Sequence, residues 1–311
     1  MSLEIIRNIF SNLSGYDFWT LQLLQIKKSN DNGTSYFGRK IILSPSEELK
    51  NFIAEISEHY LNDKKGVLNT YQSFVDYDGS ILEKVIYKLS CDSELICTEY
   101  SSFVAAISDP DEELDPFKRE FQAYLLDGMI TVNDNELPVQ LISMQNPVTT
   151  LKHKFSLAGN NRFKKIQDKV LNLRTGIDVV IFDKTIYMLT LAGENLFNME
   201  RSYRTICNKK IKEIMQSNMV TDADIFSVEA TKGHNPRRFV SFNESRFQKL
   251  KNISYRKKMS EKFNIPIKDN KFDTKDPDVT DKLIKLLCNR GMTDPFEDNK
   301  PVEVAGSKKW E

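Results

Sequence analysis

Two apolar runs flank a polar pair within residues 176–189, which read GIDVVIFDKTIYML. The runs are Ile177–Phe182 and Thr185–Leu191, and Asp183-Lys184 separates them. Short runs rich in β-branched and aromatic residues, joined by two turn-forming residues, are typical of a β-hairpin. We therefore predict two paired strands with Asp183-Lys184 at the tip, and we expect the rest of the fold to be organised around them.

Basic residues lie on both sides of this hairpin. A helix predicted over residues 194–215 follows it and carries cations beside its apolar stripe. The cations before the hairpin are Lys152, Lys154, Arg162, Lys164, Lys165, Lys169 and Arg174, and those after it are Arg201, Arg204, Lys209 and Lys212. The arrangement points to a surface that holds a polyanion. The alternative for the helical cations is an ordinary solvated face.

Apolar periodicity predicts both hairpins and helices along the rest of the chain. Strand pairs are expected over residues 18–43 and 117–145, and single strands over residues 67–75 and 85–89. Helices are expected over residues 3–13, 45–61, 93–107 and 243–263, and after Asp276-Pro277. This mixture indicates an α+β (mixed α/β) fold, in which helices pack on a hairpin-rich, mostly antiparallel sheet.

The composition, 40% hydrophobic and 28% charged, is that of a globular protein, and 311 residues can form one large or two average domains. No apolar run approaches the ~18–20 residues that span a bilayer, and the N-terminus does not read as a secretion signal. The four cysteines fit neither a zinc site nor a disulfide framework. We expect reduced thiols in a cytoplasmic protein, with no metal and no cofactor.

The net charge of zero hides two opposed halves. Residues 1–150 carry 12 Lys and Arg against 23 Asp and Glu, whereas residues 151–311 carry 32 against 21. Asn146-Pro147 marks the change, so we predict an acidic part over 1–146 and a basic part over 147–311 that can share a sheet. A basic half is the usual footprint of nucleic-acid binding. The alternative is that the halves neutralise each other in one fold or across a dimer.

A second basic block occupies residues 232–262 and contains interleaved aromatic residues. Helical spacing favours burial of Phe247, Leu250 and Ile253 in a core over stacking on bases. The cations of this block are Lys232, Arg237, Arg238, Arg246, Lys249, Lys251, Arg256, Lys257, Lys258 and Lys262. Phosphate contacts from Lys and Arg supply affinity without reading bases, so no sequence specificity is expected.

The sequence contains no recognisable catalytic motif. It has no Walker phosphate loop, no Gly-x-Gly-x-x-Gly turn, no Gly-x-Ser-x-Gly elbow and no His-Glu-x-x-His pair. A metal-dependent nuclease stays as an alternative, with Asp178, Asp183, Glu229 and Lys232 as its candidates. The spacing of Glu229 and Lys232 does not match the Glu-x-Lys strand pattern of such enzymes. We predict a binding protein and not an enzyme.

The segment Gly176–Leu189, continuing to Glu194–Met199, resembles the KwaB family of the bacterial Kiwa anti-phage defence system. The shared pattern is a D-x-x-x-x-D strand and hairpin, a strand with Tyr, and a helix opened by Phe. The preceding basic segment Lys154–Leu173 and the C-terminal helix with its strand tail also look similar. The likeness therefore spans most of the chain.

This resemblance implies a cytoplasmic protein that dimerises and binds DNA. It also implies a partnership with KwaA, a small membrane protein, and a role in hindering phage DNA replication and transcription. The resemblance supplies no catalytic residues. From charge alone, the acidic N-terminal half is a reasonable surface for KwaA or for the dimer mate.

We therefore predict a non-sequence-specific DNA-binding effector of anti-phage defence, which a KwaA-like membrane protein holds at the inner face of the cell membrane. A homodimer or higher homo-oligomer is expected. The alternatives are a metal-dependent nuclease and a structural protein-interaction module whose opposed charges pair subunits. The predicted phosphate contacts are Lys152, Lys154, Arg162, Lys164, Lys165, Lys169, Arg237, Arg238 and Arg256.

Overall fold

The computed structural model describes most of the chain as two compact units. The first unit comprises the residues up to Asp76 together with Lys84–Asn198, and the second comprises Tyr77–Glu83 together with the residues from Met199 onward. The described residues are 3–15, 18–29, 33–41, 47–110, 121–132, 134–146, 148–149, 155–158, 162–165, 170–288, 292–294 and 300–302.

The first unit combines helices with many short strands. Its α-helices in the described ranges are α1 (Glu4–Ser11), α2 (Glu47–Leu61), α3 (Cys97–Ser108) and α4 (Ala192–Leu196). Its strands there are β1 (Thr20–Ser29), β2 (Gly33–Ile41), β3 (Ser73–Asp76), β4 (Val85–Ser90), β5 (Ala123–Val132), β6 (Asn135–Ser143), β7 (Val148–Thr149), β8 (Phe155–Ala158), β9 (Arg162–Lys165), β10 (Val170–Leu171), β11 (Val179–Phe182) and β12 (Thr185–Met188).

Eight of these strands form one sheet in the order β2-β1-β5-β6-β11-β12-β4-β3. Every neighbouring pair is antiparallel except β3 and β4, which are parallel. The strands β1–β2, β5–β6 and β11–β12 form the three hairpins that the sequence predicts. The predicted fold class, helices packed on a mostly antiparallel sheet, is therefore confirmed.

The hairpin β11–β12 lies inside this sheet, where β6 pairs with β11 and β4 pairs with β12. All four residues of β11 are buried. Phe182 pairs with Thr185, and the turn residues Asp183 and Lys184 have positive φ angles of 46° and 56°. Two left-handed residues give the turn a twist that matches the twist of paired strands. The predicted hairpin and its tip are confirmed.

Helices cover both faces of the sheet. Buried residues of α1 and α2 join Leu21 and Leu23 of β1 in one core, where the Phe10 and Tyr60 rings stack with centroids 4.1 Å apart. On the other face, α3 lies against β2. The two backbones approach closely at Gly38, where the Cβ of a larger residue would lie 2.9 Å from the Ala106 carbonyl oxygen. Alternation of side chains along β1 supplies both cores.

The second unit is mainly helical. Its α-helices in the described ranges are α5 (Met199–Gln216), α6 (Ala223–Thr231), α7 (Asn235–Arg238), α8 (Glu244–Leu250), α9 (Ile253–Phe263) and α10 (Pro277–Leu287). Its short strand pairs are β13 (Ile267–Lys268) with β14 (Lys271–Phe272) and β15 (Met292–Asp294) with β16 (Lys300–Val302). Across the described ranges, no helix is both long and apolar enough to cross a membrane.

Two helices predicted as continuous are broken at asparagines. Between α4 and α5, Asn198 has a left-handed φ of 46°. Between α8 and α9, the Asn252 side chain accepts hydrogen bonds from the Ser254 and Tyr255 amides and caps a new helix. Asn favours both left-handed backbone and helix caps, so apolar periodicity alone hid these breaks. The strand predicted over residues 67–75 is also shorter, because Val67–Thr70 forms a 3-10 helix.

The compact units do not divide at the change of charge near Asn146. Strand β6 precedes Asn146 and pairs with β11, which follows it. One sheet therefore contains strands from both the acidic and the basic part of the chain. The units divide instead between Asn198 and Met199. A sheet is held by hydrogen bonds between strands distant in sequence, and these are independent of surface charge.

Candidate nucleic-acid interface

The first basic block, residues 152–174, contains a small two-stranded sheet made by β8 and β9. Strand β9 reads Arg162-Phe163-Lys164-Lys165, so half of the predicted phosphate contacts of this block lie in one short strand. Its backbone is registered against β8 with Phe155 opposite Lys165 and Ala158 opposite Arg162. Lys152, Lys154 and Lys169 lie outside the described residues.

Arg238 belongs to an ion-pair network inside the second unit. Pro236 stands at the start of α7, where its missing amide proton is not needed. From this short helix the Arg238 guanidinium donates to Asn235 Oδ1 at 2.6 Å and to Asp281 Oδ1 at 2.7 Å. Lys285 binds the other Asp281 oxygen at 2.8 Å. The Arg238 side chain is only 22% exposed, and its Nη1 group makes both of these contacts within the fold.

Arg237, its neighbour, lies over an aromatic ring. Its guanidinium carbon is 5.9 Å from the centroid of the Tyr77 ring, a cation–π distance. The Arg237 carbonyl also passes close to Gly79, whose φ is +78°, and a Cβ there would meet this oxygen at 2.5 Å. The two adjacent arginines of α7 are therefore both packed against neighbouring parts of the second unit.

Arg256 is buried, with 5% of its surface exposed. Its Nε donates to the Leu250 carbonyl at 3.0 Å, Nη2 donates to the Lys251 carbonyl at 3.4 Å, and Nη1 donates to the Asn270 carbonyl. Burial lowers the pKa of this guanidinium. The prediction that placed Arg256 on a phosphate-binding surface conflicts with this environment, because the side chain is buried and each of its three nitrogens donates to a backbone oxygen. Its spacing with Met259 and Phe263 on α9 would have indicated burial.

The Arg238–Asp281–Lys285 network makes the stability of the fold depend on pH. Burial alone would raise the pKa of Asp281, but hydrogen bonds from Lys285 and the charge of Arg238 hold it below its ordinary value of 3.8. Because the carboxyl pKa is lower in the folded protein than in the unfolded chain, the ionised carboxylate stabilises the fold at pH values above the pKa of the unfolded chain. This contribution is lost as the pH falls through the pKa of the folded protein. The network is therefore a source of stability at neutral pH that is lost in acid.

Replacing Asp281 by Asn is expected to lower the free energy of unfolding by about 1 kcal/mol at neutral pH. The effect is modest because the Asp281 side chain is 34% exposed and water screens its charge. Urea unfolding of both proteins at neutral pH and at a series of lower pH values measures the difference. The difference should shrink as the pH falls, and a difference that does not change with pH would contradict the role given to the ion pairs.

The carboxylates considered for a nuclease lie in separate environments. Asp178 is 5% exposed, and its oxygens accept from the Met144 amide, the Thr190 hydroxyl and the Arg174 guanidinium. Asp183 is exposed at the β11–β12 turn. Glu229, on α6 of the second unit, is ion-paired with Lys232 at 3.3 Å. Among the described residues, no group of three His, Cys, Asp or Glu side chains is placed to hold a metal.

Comparison with known families gives a match to the family described as Kiwa protein KwaB-like, over residues 119–294. The matched residues make up more than half of the chain and include the hairpin β11–β12 and both basic blocks. No match is found among curated proteins or among solved structures.

Proposed function

Because this chain belongs to the KwaB-like family of Kiwa proteins, we propose that it binds DNA through its phosphates, without reading base sequence. Membership of the family makes the protein a component of Kiwa anti-phage defence. In the proposed role, the protein is an effector that coats or holds phage DNA and thereby hinders its replication and transcription. No catalytic step is part of the proposal.

The distribution of cations is the observation that carries the proposal. Residues 151–311 contain 32 Lys and Arg against 21 Asp and Glu. The four residues of β9 include three of these cations, Arg162, Lys164 and Lys165. Contacts between such cations and phosphates release condensed counterions, which supplies affinity for any sequence. Together with the family, this local excess supports DNA over another partner.

The proposal also includes the partners that the family resemblance implies. A KwaA-like membrane protein would hold this protein, otherwise cytoplasmic, at the inner face of the membrane, and a homodimer or higher homo-oligomer is the expected assembly. The acidic residues 1–150 repel DNA phosphates and are therefore the surface we assign to these protein contacts. In this arrangement, opposite charges keep the DNA contacts and the protein contacts apart.

Reversing the charges at Lys164 and Lys165 to Glu is expected to weaken binding to a random-sequence duplex about tenfold near 0.1 M salt. It should also reduce the slope of log affinity against log salt by about 2, one unit for each lost phosphate contact. Fluorescence anisotropy across a salt series measures both quantities. Repeating the series with magnesium, and checking that the duplex stays intact, tests the nuclease alternative in the same experiment.

The matched control reverses another adjacent lysine pair, Lys64 and Lys65, to Glu. These two lysines are exposed in the first unit. Their reversal changes the net charge by the same amount as the reversal of Lys164 and Lys165. The control should keep the wild-type salt slope. Absent or salt-insensitive binding by the wild type would refute DNA binding and favour the interaction module, and metal-dependent loss of the duplex would favour the nuclease.

A further inference from the structure

In the second basic block, the arginines and the lysines lie in different environments. Arg237, Arg238 and Arg256 are packed inside the second unit, as described above, and Arg246 donates to the Leu286 carbonyl at 2.6 Å. The exposed cations of the block, apart from the ion-paired Lys232, are all lysines of α8, α9 and their connection, which we call the lysine face: Lys249, Lys251, Lys257, Lys258 and Lys262. The arginines therefore build the unit, and the lysines remain at its surface.

No ion pair joins a lysine of this face to a carboxylate within the described residues, in contrast to Lys210, Lys232 and Lys285 of the same unit. Lys210, for example, binds both Glu213 and Glu244 at 2.8 Å. Burial opposes the charge of Lys210, yet these hydrogen bonds raise its pKa. Lys210 thus neutralises acids within the unit, whereas the lysine face keeps its positive charge available to an external anion.

The helical geometry places three of these lysines on one side of α9. At about 100° per residue, Lys258 lies nearly opposite the buried Arg256, and Lys257 and Lys262 flank it. Glu261 shares this exposed side, so α9 carries a net charge of about +2 there. Lys258 and Lys262 are one turn apart, a spacing at which like charges repel and weaken a helix. A bound polyanion would relieve that repulsion.

The buried arginine holds this face in place. The Arg256 guanidinium donates to the carbonyls of Leu250, the last residue of α8, and of Lys251, which follows it, and also to the Asn270 carbonyl in the β13–β14 turn. The connection between α8 and α9 is only Lys251-Asn252, and Asn252 caps α9. Because both helix ends are bonded, the lysines of α8 and α9 keep a fixed spacing. Binding then costs little backbone entropy.

Aromatic rings also hold two of the lysine side chains. The Lys251 ammonium lies 4.7 Å from the centroid of the Phe247 ring, and the Lys262 ammonium lies 5.8 Å from that of Phe263. Such contacts anchor the stem of a long side chain while its charged head stays in water. They reduce the rotamer freedom that the side chain must lose when it binds a phosphate.

We propose that the lysine face is a phosphate-contact surface for the DNA backbone, additional to β9. The inference rests on the DNA-binding function proposed above and names a further set of contacts for it. An exposed helical surface with several like charges fits an extended polyanion better than a single small anion. Point-charge contacts from lysine suit phosphates and do not specify bases.

The test reverses Lys257 and Lys258 to Glu in the full-length protein. We expect the affinity for a random-sequence duplex to fall about tenfold near 0.1 M salt, and the salt slope to fall by about 2. The variant with Gln at both positions should show a smaller loss of affinity, because it removes charge without adding repulsion. The Lys64→Glu, Lys65→Glu control should bind as the wild type does, and urea unfolding confirms that each variant is folded.

The outcomes separate this inference from the function on which it rests. If the wild type does not bind DNA, both proposals are overturned. If the Lys164 and Lys165 reversal lowers the salt slope but the Lys257 and Lys258 reversal leaves it unchanged, the lysine face alone is overturned. If the latter reversal abolishes binding to phosphatidylserine vesicles and not to DNA, the face is a membrane surface, and the inference is again overturned.

Discussion

Replacement of Asp178 by Asn is expected to lower the free energy of unfolding by about 3 kcal/mol. The carboxylate receives three short hydrogen bonds: from the Met144 amide at 2.7 Å, the Arg174 Nη2 at 2.7 Å and the Thr190 hydroxyl at 2.6 Å. An amide group removes the charge and turns one acceptor into a donor, so at least one of these partners is left unsatisfied. Denaturation with urea measures the loss.

The large effect follows from where these partners lie. Met144 follows β6, Thr190 follows β12, and the Asp178 backbone itself pairs with Ile142 at the start of β11. One carboxylate therefore ties together three neighbouring strands at one end of the sheet. Hydrogen bonds to a charged acceptor are each worth about 1.5–3 kcal/mol, and an unsatisfied buried donor carries a comparable penalty.

Asp183→Asn provides the matched control on the same hairpin. Asp183 is exposed, and Asn tolerates its left-handed backbone, so the free energy of unfolding should change by no more than about 0.5 kcal/mol. Equal stability of the two variants would refute the structural role of Asp178. Such a result would return Asp178 to the candidates for metal binding.

Replacement of Arg256 by Met is expected to lower the free energy of unfolding by about 2 kcal/mol. Methionine keeps much of the aliphatic bulk but leaves the Leu250, Lys251 and Asn270 carbonyls without this donor. Relief from burying a charge offsets part of that loss, so the value stays below the sum for three bonds. Urea unfolding of the full-length protein gives the difference.

Lys257→Met on the same helix is the control, and the two variants should show opposite behaviour. Lys257 is exposed, so its replacement should leave stability within about 0.5 kcal/mol of the wild type. It should nevertheless reduce the salt slope of the proposed DNA binding by about 1, since it removes one of the proposed phosphate contacts. If instead Arg256→Met leaves stability unchanged and lowers the salt slope, Arg256 is the phosphate contact and the burial argument is wrong.

The strands of the sheet were largely predictable because their signals are local. Alternating apolar residues and a two-residue polar turn predict β11–β12, and both turn residues adopt the left-handed conformation that such a turn requires. The start of α10 was equally clear, since Asp276 caps it and Pro277 occupies its first turn. Both signals act over a few residues, where sequence neighbours are also spatial neighbours.

The helix breaks and the division into units were not predictable in the same way. Asn198 and Asn252 interrupt otherwise continuous apolar stripes, and a stripe does not reveal a change of axis. The pairing of β6 with β11 joins residues about forty positions apart and carries the sheet through the change of charge. Pairing between distant strands is selected by the packing of the whole unit. The residues of one short stretch do not specify it.

Local patterns, charge distribution and family likeness were thus sufficient for the fold class, the hairpins and the membership in Kiwa defence. Apart from the helical spacing around Arg256, only the tertiary structure separated cations that build the protein from cations that remain at its surface. Arg238 meets Asp281, 43 residues away in the chain, and Arg256 meets Asn270, 14 residues away. A charge pattern counts these arginines and the exposed lysines alike, because burial is a property of the folded chain.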